Sequence, residues 1–180
     1  QQEILSTGAS DIIIRPYPPL ITKKRITNIV DVFNSSVATM EDGLTGLFSR
    51  IAFFKIAEGM IAAEKPGFYT MVCFDIDNFK VINDQYGTHT GDTILKNIAS
   101  TLKKFVIPLR GIVCRIMADN FAALYPSTFS STGTINQIHR LLSVPVDYIL
   151  PISFSIGRYV IDDLSLSPSA MYDRAALAMA

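Results

Sequence analysis

An α+β domain, with a mostly antiparallel sheet and helices packed outside it, is the fold class this sequence predicts. Three observations lead there. Apolar residues recur at helical spacing in segments that alternate with short apolar runs of strand length. Two of those runs, "VCRI" and "FAALY", are separated by only four residues, so they pair as an antiparallel hairpin. The element order is helix, strand, helix, hairpin, helix, strand, helix, which implies a mostly antiparallel sheet with helices outside it.

Residues 1–21 stand apart as an N-terminal extension or linker: "SDIIIR" has strand character and "RPYPPL" is extended and stiffened by proline. From Thr22 a helix is expected to residue 40, with Ile26, Val30, Phe33, Val37 and Met40 spaced four and three apart. That a/d seam lasts about two heptads, so two readings stand: a helix packed on the domain, or a connecting helix that pairs with its copy. The remainder, 41–180, reads as one domain. Ser49 caps a helix carrying Phe53, Ile56, Ala57, Met60 and Ile61, ended by Pro66-Gly67. "FYTMVCFDI" is a buried strand, "NFKVINDQY" a short helical turn, and Gly91-Asp92 opens a helix with Ile94, Leu95, Ile98, Leu102 and Phe105 inward. After the hairpin come a polar loop, a helix "TINQIHRLL", a strand "PISFSIGRYV", and a last helix begun by Ser167 as N-cap and Pro168 at N1.

Composition excludes several classes. Hydrophobic residues make up 49% of the 180, and Lys+Arg and Asp+Glu both number 16. Mean hydropathy is +0.31. Zero net charge gives no electrostatic reason to expect nucleic acid or an anionic membrane as partner. The apolar runs fall short of the about 20 residues that a membrane span needs. Cys73 and Cys114 sit within apolar strands and read as buried thiols in a reducing compartment, so a cytoplasmic location is expected.

Chemistry concentrates in two places. In "CFDIDNFK", strand alternation sets Asp75 and Asp77 on one face at the strand's C-terminal end. Alone, D-x-D more often caps a turn. The hairpin tip Met117-Ala118-Asp119-Asn120 adds a second acid, and its turn chemistry is poor: Met and Ala stand where positive-φ residues are usual. If the hairpin lies beside the Asp75 strand, Asp119 approaches Asp75, and two such carboxylates suit Mg²⁺ completed by phosphate oxygens and water. That arrangement serves phosphoryl or nucleotidyl transfer. Asn83 offers a donor and an acceptor, Asp92 accepts two donors, and together they match a guanine edge; Lys80 suits a phosphate.

Three blocks carry a resemblance to a known family. "DGLTGLFSR" at 42–50 is similar to D-x-L-T-G-L-x-N-R, with Ser49 for Asn. "FDIDNFKVINDQYGTHTGD" at 74–92 follows D-I-D-x-F-K-x-I-N-D-x-x-G-H-x-x-G-D, with Thr88 for His. "ISFSIG" at 152–157 is similar to a late strand. The pattern resembles the GGDEF domain, the diguanylate cyclase family that condenses two GTP into cyclic di-GMP, from about residue 40 onward. The resemblance implies a five-stranded, largely antiparallel sheet wrapped by helices, related to nucleotidyl cyclase and polymerase palm domains. It implies metal binding by Asp75, the Ile76 carbonyl and Asp119, guanine reading by Asn83 and Asp92, and phosphate contact by Lys80.

The signature Gly-Gly-Asp/Glu-Glu-Phe falls on Met117-Ala118-Asp119-Asn120-Phe121. Both glycines are gone, and with them the backbone freedom that brings the turn close to phosphates. The fourth position is neutral Asn120. The product-inhibition motif R-x-x-D falls on Pro108-Leu109-Arg110-Gly111, with neither charge in register. In "DRAALAMA", Ala176 replaces the Asp of R-A-D-x-A-L-Y-x-A-K, and the chain ends before the Lys, so a fragment truncated at its C-terminus is expected.

Three functional readings follow. The first is a degenerate, catalytically inactive regulatory or dimerisation module that still binds GTP or another guanine nucleotide, with Mg²⁺ when nucleotide is bound. Its partners would be a second copy or adjacent signalling domains. The alternatives are an active diguanylate cyclase and a structural spacer with no nucleotide binding.

Overall fold

The computed structural model describes residues 22–24, 26–27, 40–129, 140 and 152–179. The chain divides into two compact units, Gln1–Ala38 and Thr39–Ala180. In the first, 22–24 and 26–27 are helical. The expected linker at 1–21, the seam positions Val30, Phe33 and Val37, and the helix "TINQIHRLL" apart from Arg140 lie outside the described residues.

The second unit is a five-stranded sheet: β1 (Phe48–Ser49), β2 (Tyr69–Ile76), β3 (Ile112–Met117), β4 (Asn120–Pro126) and β5 (Phe154–Val160), in the order β1-β3-β4-β2-β5. All pairings are antiparallel except β1 with β3, which is parallel. The α+β class with a mostly antiparallel sheet therefore holds. Sequence reading missed β1, because two residues carry no periodicity.

Four helices with described bounds cover the sheet: α1 (Arg50–Ala62), α2 (Phe79–Tyr86), α3 (Thr88–Val106) and α4 (Pro168–Leu177). Ser49 and Ser167 cap α1 and α4, accepting from the amides of Ala52 and Ala170. Two expected boundaries are corrected. Helix α3 starts at Thr88, not at Gly91-Asp92, because Gly87 at φ +83 turns the chain straight out of α2. Strand β5 also begins later than expected, at Phe154.

The central strand β2 shows why the fold has two layers. Val72, Phe74 and Ile76 pack with Ile94, Ile98 and Leu102 of α3, whereas Met71 and Cys73 pack with Phe53 and Ala57 of α1 and Met171 and Ala175 of α4. Both faces of the strand are buried, so "FYTMVCFDI" reads as a continuous apolar run. Both thiols are buried and free, and burial pushes the Cys73 thiol up to about 12.

A second device ties the hairpin to the chain before α1. Asp42 Oδ1 accepts from the Thr45 amide (2.9 Å), the Thr45 hydroxyl (2.6 Å) and Arg115 Nη1 (3.3 Å). Burial pushes the Asp42 carboxyl up, but the Thr45 hydrogen bonds and the Arg115 guanidinium outweigh it and hold it below its ordinary value. A depressed carboxylate stabilises the fold above its unfolded pKa and loses that contribution as pH falls through the folded one. Asp42→Asn should therefore lower stability at pH 7, with the deficit shrinking in urea melts run at progressively acid pH. A double-mutant cycle with Arg115→Ala should give a coupling of about 0.5–1 kcal/mol, the range of a partly exposed ion pair.

Candidate functional site

The β2–β4 ladder brings the C-terminal end of β2 against the start of β4, with Asp75 opposite Asn120. On its other side Asp75 lies opposite Ser155 of β5. The tip of the β3–β4 hairpin is thereby carried to the Asp75 carboxylate. Asp75 is held above its ordinary value, first by burial, then by the charge of Asp119, with Asp77 adding a smaller push and Asn120 opposing both. Asp119 and Asp75 are thus within electrostatic reach. Asp77 lies one residue beyond the strand, and its Oδ1 accepts from the Ser155 hydroxyl at 2.8 Å.

Asn120 links two elements at this point. Its Nδ2 donates to Asp75 Oδ1 at 3.3 Å, and its Oδ1 accepts from the Tyr172 hydroxyl of α4 at 2.6 Å. Burial pushes the Tyr172 phenol up to about 12, so it remains a donor at neutral pH. Sequence reasoning did not single out Tyr172; a partner 52 residues from Asn120 leaves no local signal.

The turn itself is strained. Ala118 has φ +46, at the first of the two residues between Met117 and Asn120, where a two-residue hairpin favours glycine. Arg115 Nε donates to the Ala118 carbonyl at 2.7 Å, and a register shift between Arg115 and Met117 accompanies it. Met117 is 63% exposed. Ala118→Gly should raise stability by about 0.5–1 kcal/mol, since the left-handed penalty of alanine exceeds the extra chain entropy of glycine. Chemical denaturation of the two proteins measures it.

The proposed base-reading residues lie just beyond β2. Asn83 is on α2 and Asp92 follows Gly91 in the first turns of α3. Asn83 Oδ1 is buried and has no hydrogen-bond partner among the described residues. A Cβ on Gly91 would run into Asn83 Oδ1 and come within 3.1 Å of Phe79 Cζ. Glycine at 91 therefore gives the Asn83 amide its space. Gly91→Ala should cost about 1–3 kcal/mol by overpacking, read from the midpoint of a denaturant melt. Lys80 is exposed on α2. His89, expected in a loop, instead sits exposed in the first turn of α3.

Asp75, Asp119 and the backbone carbonyl of Ile76, the expected metal ligands, offer oxygen donors of the type that a hard divalent cation takes. As arranged they do not fit a resident ion. Asn120 presents N–H donors to the oxygen that a cation would use, and among the described residues no three His, Cys, Asp or Glu side chains converge on one point.

The family model "Diguanylate cyclase, GGDEF domain" matches residues 39–180. The chain belongs to this family of GGDEF domains. It is 39% identical over 89 residues to the uncharacterised protein YhcK of Bacillus subtilis, covering 48% of this chain and 24% of YhcK. It is 26% identical over 139 residues to the probable diguanylate cyclase DgcT of Escherichia coli K12, covering 73% of this chain and 30% of that protein. The chain thus spans a third or less of these two relatives. Among solved structures, the coiled coil and GGDEF domain of DgcB from Caulobacter crescentus, in complex with c-di-GMP, superposes with a TM-score of 0.70 at 23% identity, covering 89% of this chain and 90% of that one. The FimX GGDEF domain of Pseudomonas aeruginosa superposes at 0.67 with 17% identity over 78% of this chain and 91% of that one. These likenesses establish the five-stranded palm-like fold. Family members are generally Mg²⁺-dependent. No described helix is long and apolar enough to cross a membrane.

Proposed function

We propose that this chain is a degenerate GGDEF domain of a cyclic di-GMP signalling protein, which binds a guanine nucleotide without condensing it and acts as a regulatory or dimerisation module in the cytoplasm. The observation that carries the reading is the signature turn. Side chains stand at both glycine positions, and Ala118 is held at φ +46 by a hydrogen bond from Arg115. Nucleotidyl transfer needs reacting atoms at about 3–3.5 Å, and a shift of about 1 Å costs on the order of 100-fold. Met117 and Ala118 place bulk where the turn backbone would meet phosphates.

Nucleotide binding is supported from the other side of the site. The buried, unpaired Oδ1 of Asn83 is an acceptor awaiting a donor, and a guanine edge supplies one. Asp92 would take a second pair of guanine donors and Lys80 a phosphate. Mg²⁺ would arrive with the nucleotide, whose phosphate oxygens complete a donor set that Asp75, the Ile76 carbonyl and Asp119 leave short. Self-association would run through the 22–40 seam, as the DgcB relative has a coiled coil beside its GGDEF domain.

Incubation with GTP and Mg²⁺ tests the reading. No cyclic di-GMP should form, and GTP should raise the melting temperature. The stabilisation should reach about 2.7 kcal/mol at a concentration 100 times Kd, and Asn83→Ala should abolish it. Met117→Gly, Ala118→Gly and Asn120→Glu together should tighten GTP binding or restore turnover. Product from the wild type would establish the active cyclase instead, whereas neither product nor stabilisation would leave the structural spacer.

A further inference from the structure

The Asn120 amide is oriented from both ends. An ionised Asp75 only accepts hydrogen bonds, so the side of Asn120 that faces it is Nδ2. The opposite side, Oδ1, takes the Tyr172 hydroxyl proton at 2.6 Å. A flipped amide would set Oδ1 against the carboxylate and lose the bond to Asp75, while the Tyr172 hydroxyl would have to turn from donor to acceptor. Tyr172 is held in turn by its α4 backbone and by an edge contact with Phe54 of α1, ring centroids 6.0 Å apart at 72°. Asp75 and Asn120 face each other in ladder register, so the backbone holds the amide's point of attachment beside the carboxylate.

We propose that Asn120, fixed by Tyr172, is a gate that excludes a free divalent cation from Asp75. The N–H₂ group brings partial positive charge and a donor to the oxygen whose lone pair a cation needs. Asp119 alone is too few ligands for a hard ion, which takes six or more oxygens. A cation binds only after the Asn120–Asp75 hydrogen bond is broken. Tyr172 is a positioning residue that acts through its hydrogen bond to Asn120. This gate follows from side chains at 75, 120 and 172 alone, and it stands whether or not nucleotide binds.

Mn²⁺, followed by its solution EPR signal in the absence of nucleotide, tests the gate on the full chain and on Asn120→Ala and Tyr172→Phe. Neither variant adds a charge or a carboxylate, so charge counting alone predicts no change in either. Asn120→Ala should bind Mn²⁺ about tenfold more tightly than wild type, the equivalent of about 1.4 kcal/mol. Tyr172→Phe keeps the ring packed on Phe54 and should tighten binding about threefold. Adding Asp119→Asn to Asn120→Ala should remove the gain. Wild-type affinity equal to that of the Asn120→Ala variant overturns the proposal. Unchanged affinity in Tyr172→Phe also overturns it, because nothing would then hold the amide in place. Tyr172→Phe retains the apolar core and so keeps the test open if Asn120→Ala loses its fold. Because the titration contains no GTP, its failure is distinct from a failure of nucleotide binding.

Discussion

Seven consecutive residue pairs join β2 to β4, from Tyr69 opposite Pro126 to Asp75 opposite Asn120, and this ladder is the constraint on which both core and site depend. Side chains alternate across a strand, so the register that sends Val72 and Phe74 toward α3 also sends Asp75 to the side of α1 and α4. A slip by one residue would turn the carboxylate into the α3 core and Phe74 toward α4. Burial of the apolar residues therefore fixes the position of the acid. The same pairing sets Asn120 opposite Asp75 and within reach of Tyr172.

The hairpin that delivers Asn120 and Asp119 has alanine at 118, where its geometry favours glycine. A left-handed alanine costs roughly 1–2 kcal/mol, which the surrounding contacts must offset. Arg115 offers the clearest compensation, donating to the Ala118 carbonyl from Nε and reaching Asp42 from Nη1. Asp42 is itself anchored by Thr45, so the turn is braced against the loop before α1 rather than against solvent. The hairpin closes with Ala118 in the left-handed region, and Asp119 reaches the field of Asp75.

Much of this was legible in the sequence because periodicity reports burial. The apolar spacing in α1 and α3, the continuous run in β2, and the Ser167-Pro168 start of α4 each reflect a face packed against the sheet. The acids at 75 and 119 could be found as a pair only by supposing that the hairpin lies beside β2. What stayed hidden depends on long-range geometry. The parallel contact of Phe48 and Ser49 with Cys114 and Arg115 is too short to leave a pattern. The roles of Tyr172 and Ser155 arise only once α4 and β5 have folded against β2, and the start of α3 turns on the backbone angle of Gly87.

The neutral residue at 120 also carries an electrostatic argument about how such a site persists. Asp75 is half-buried, and the charges of Asp119 and Asp77 both push its carboxyl up, a repulsion that a bound cation would relieve. An acid at 120 would add another negative group opposite Asp75 in the ladder and deepen that repulsion. Asn120 instead donates to Asp75 and favours its charged form. Without a resident cation, asparagine is therefore the more stable choice at this position. The exchange that stabilises the domain is the one that places a donor against the metal-binding oxygen, so stability and metal loading pull in opposite directions at a single side chain.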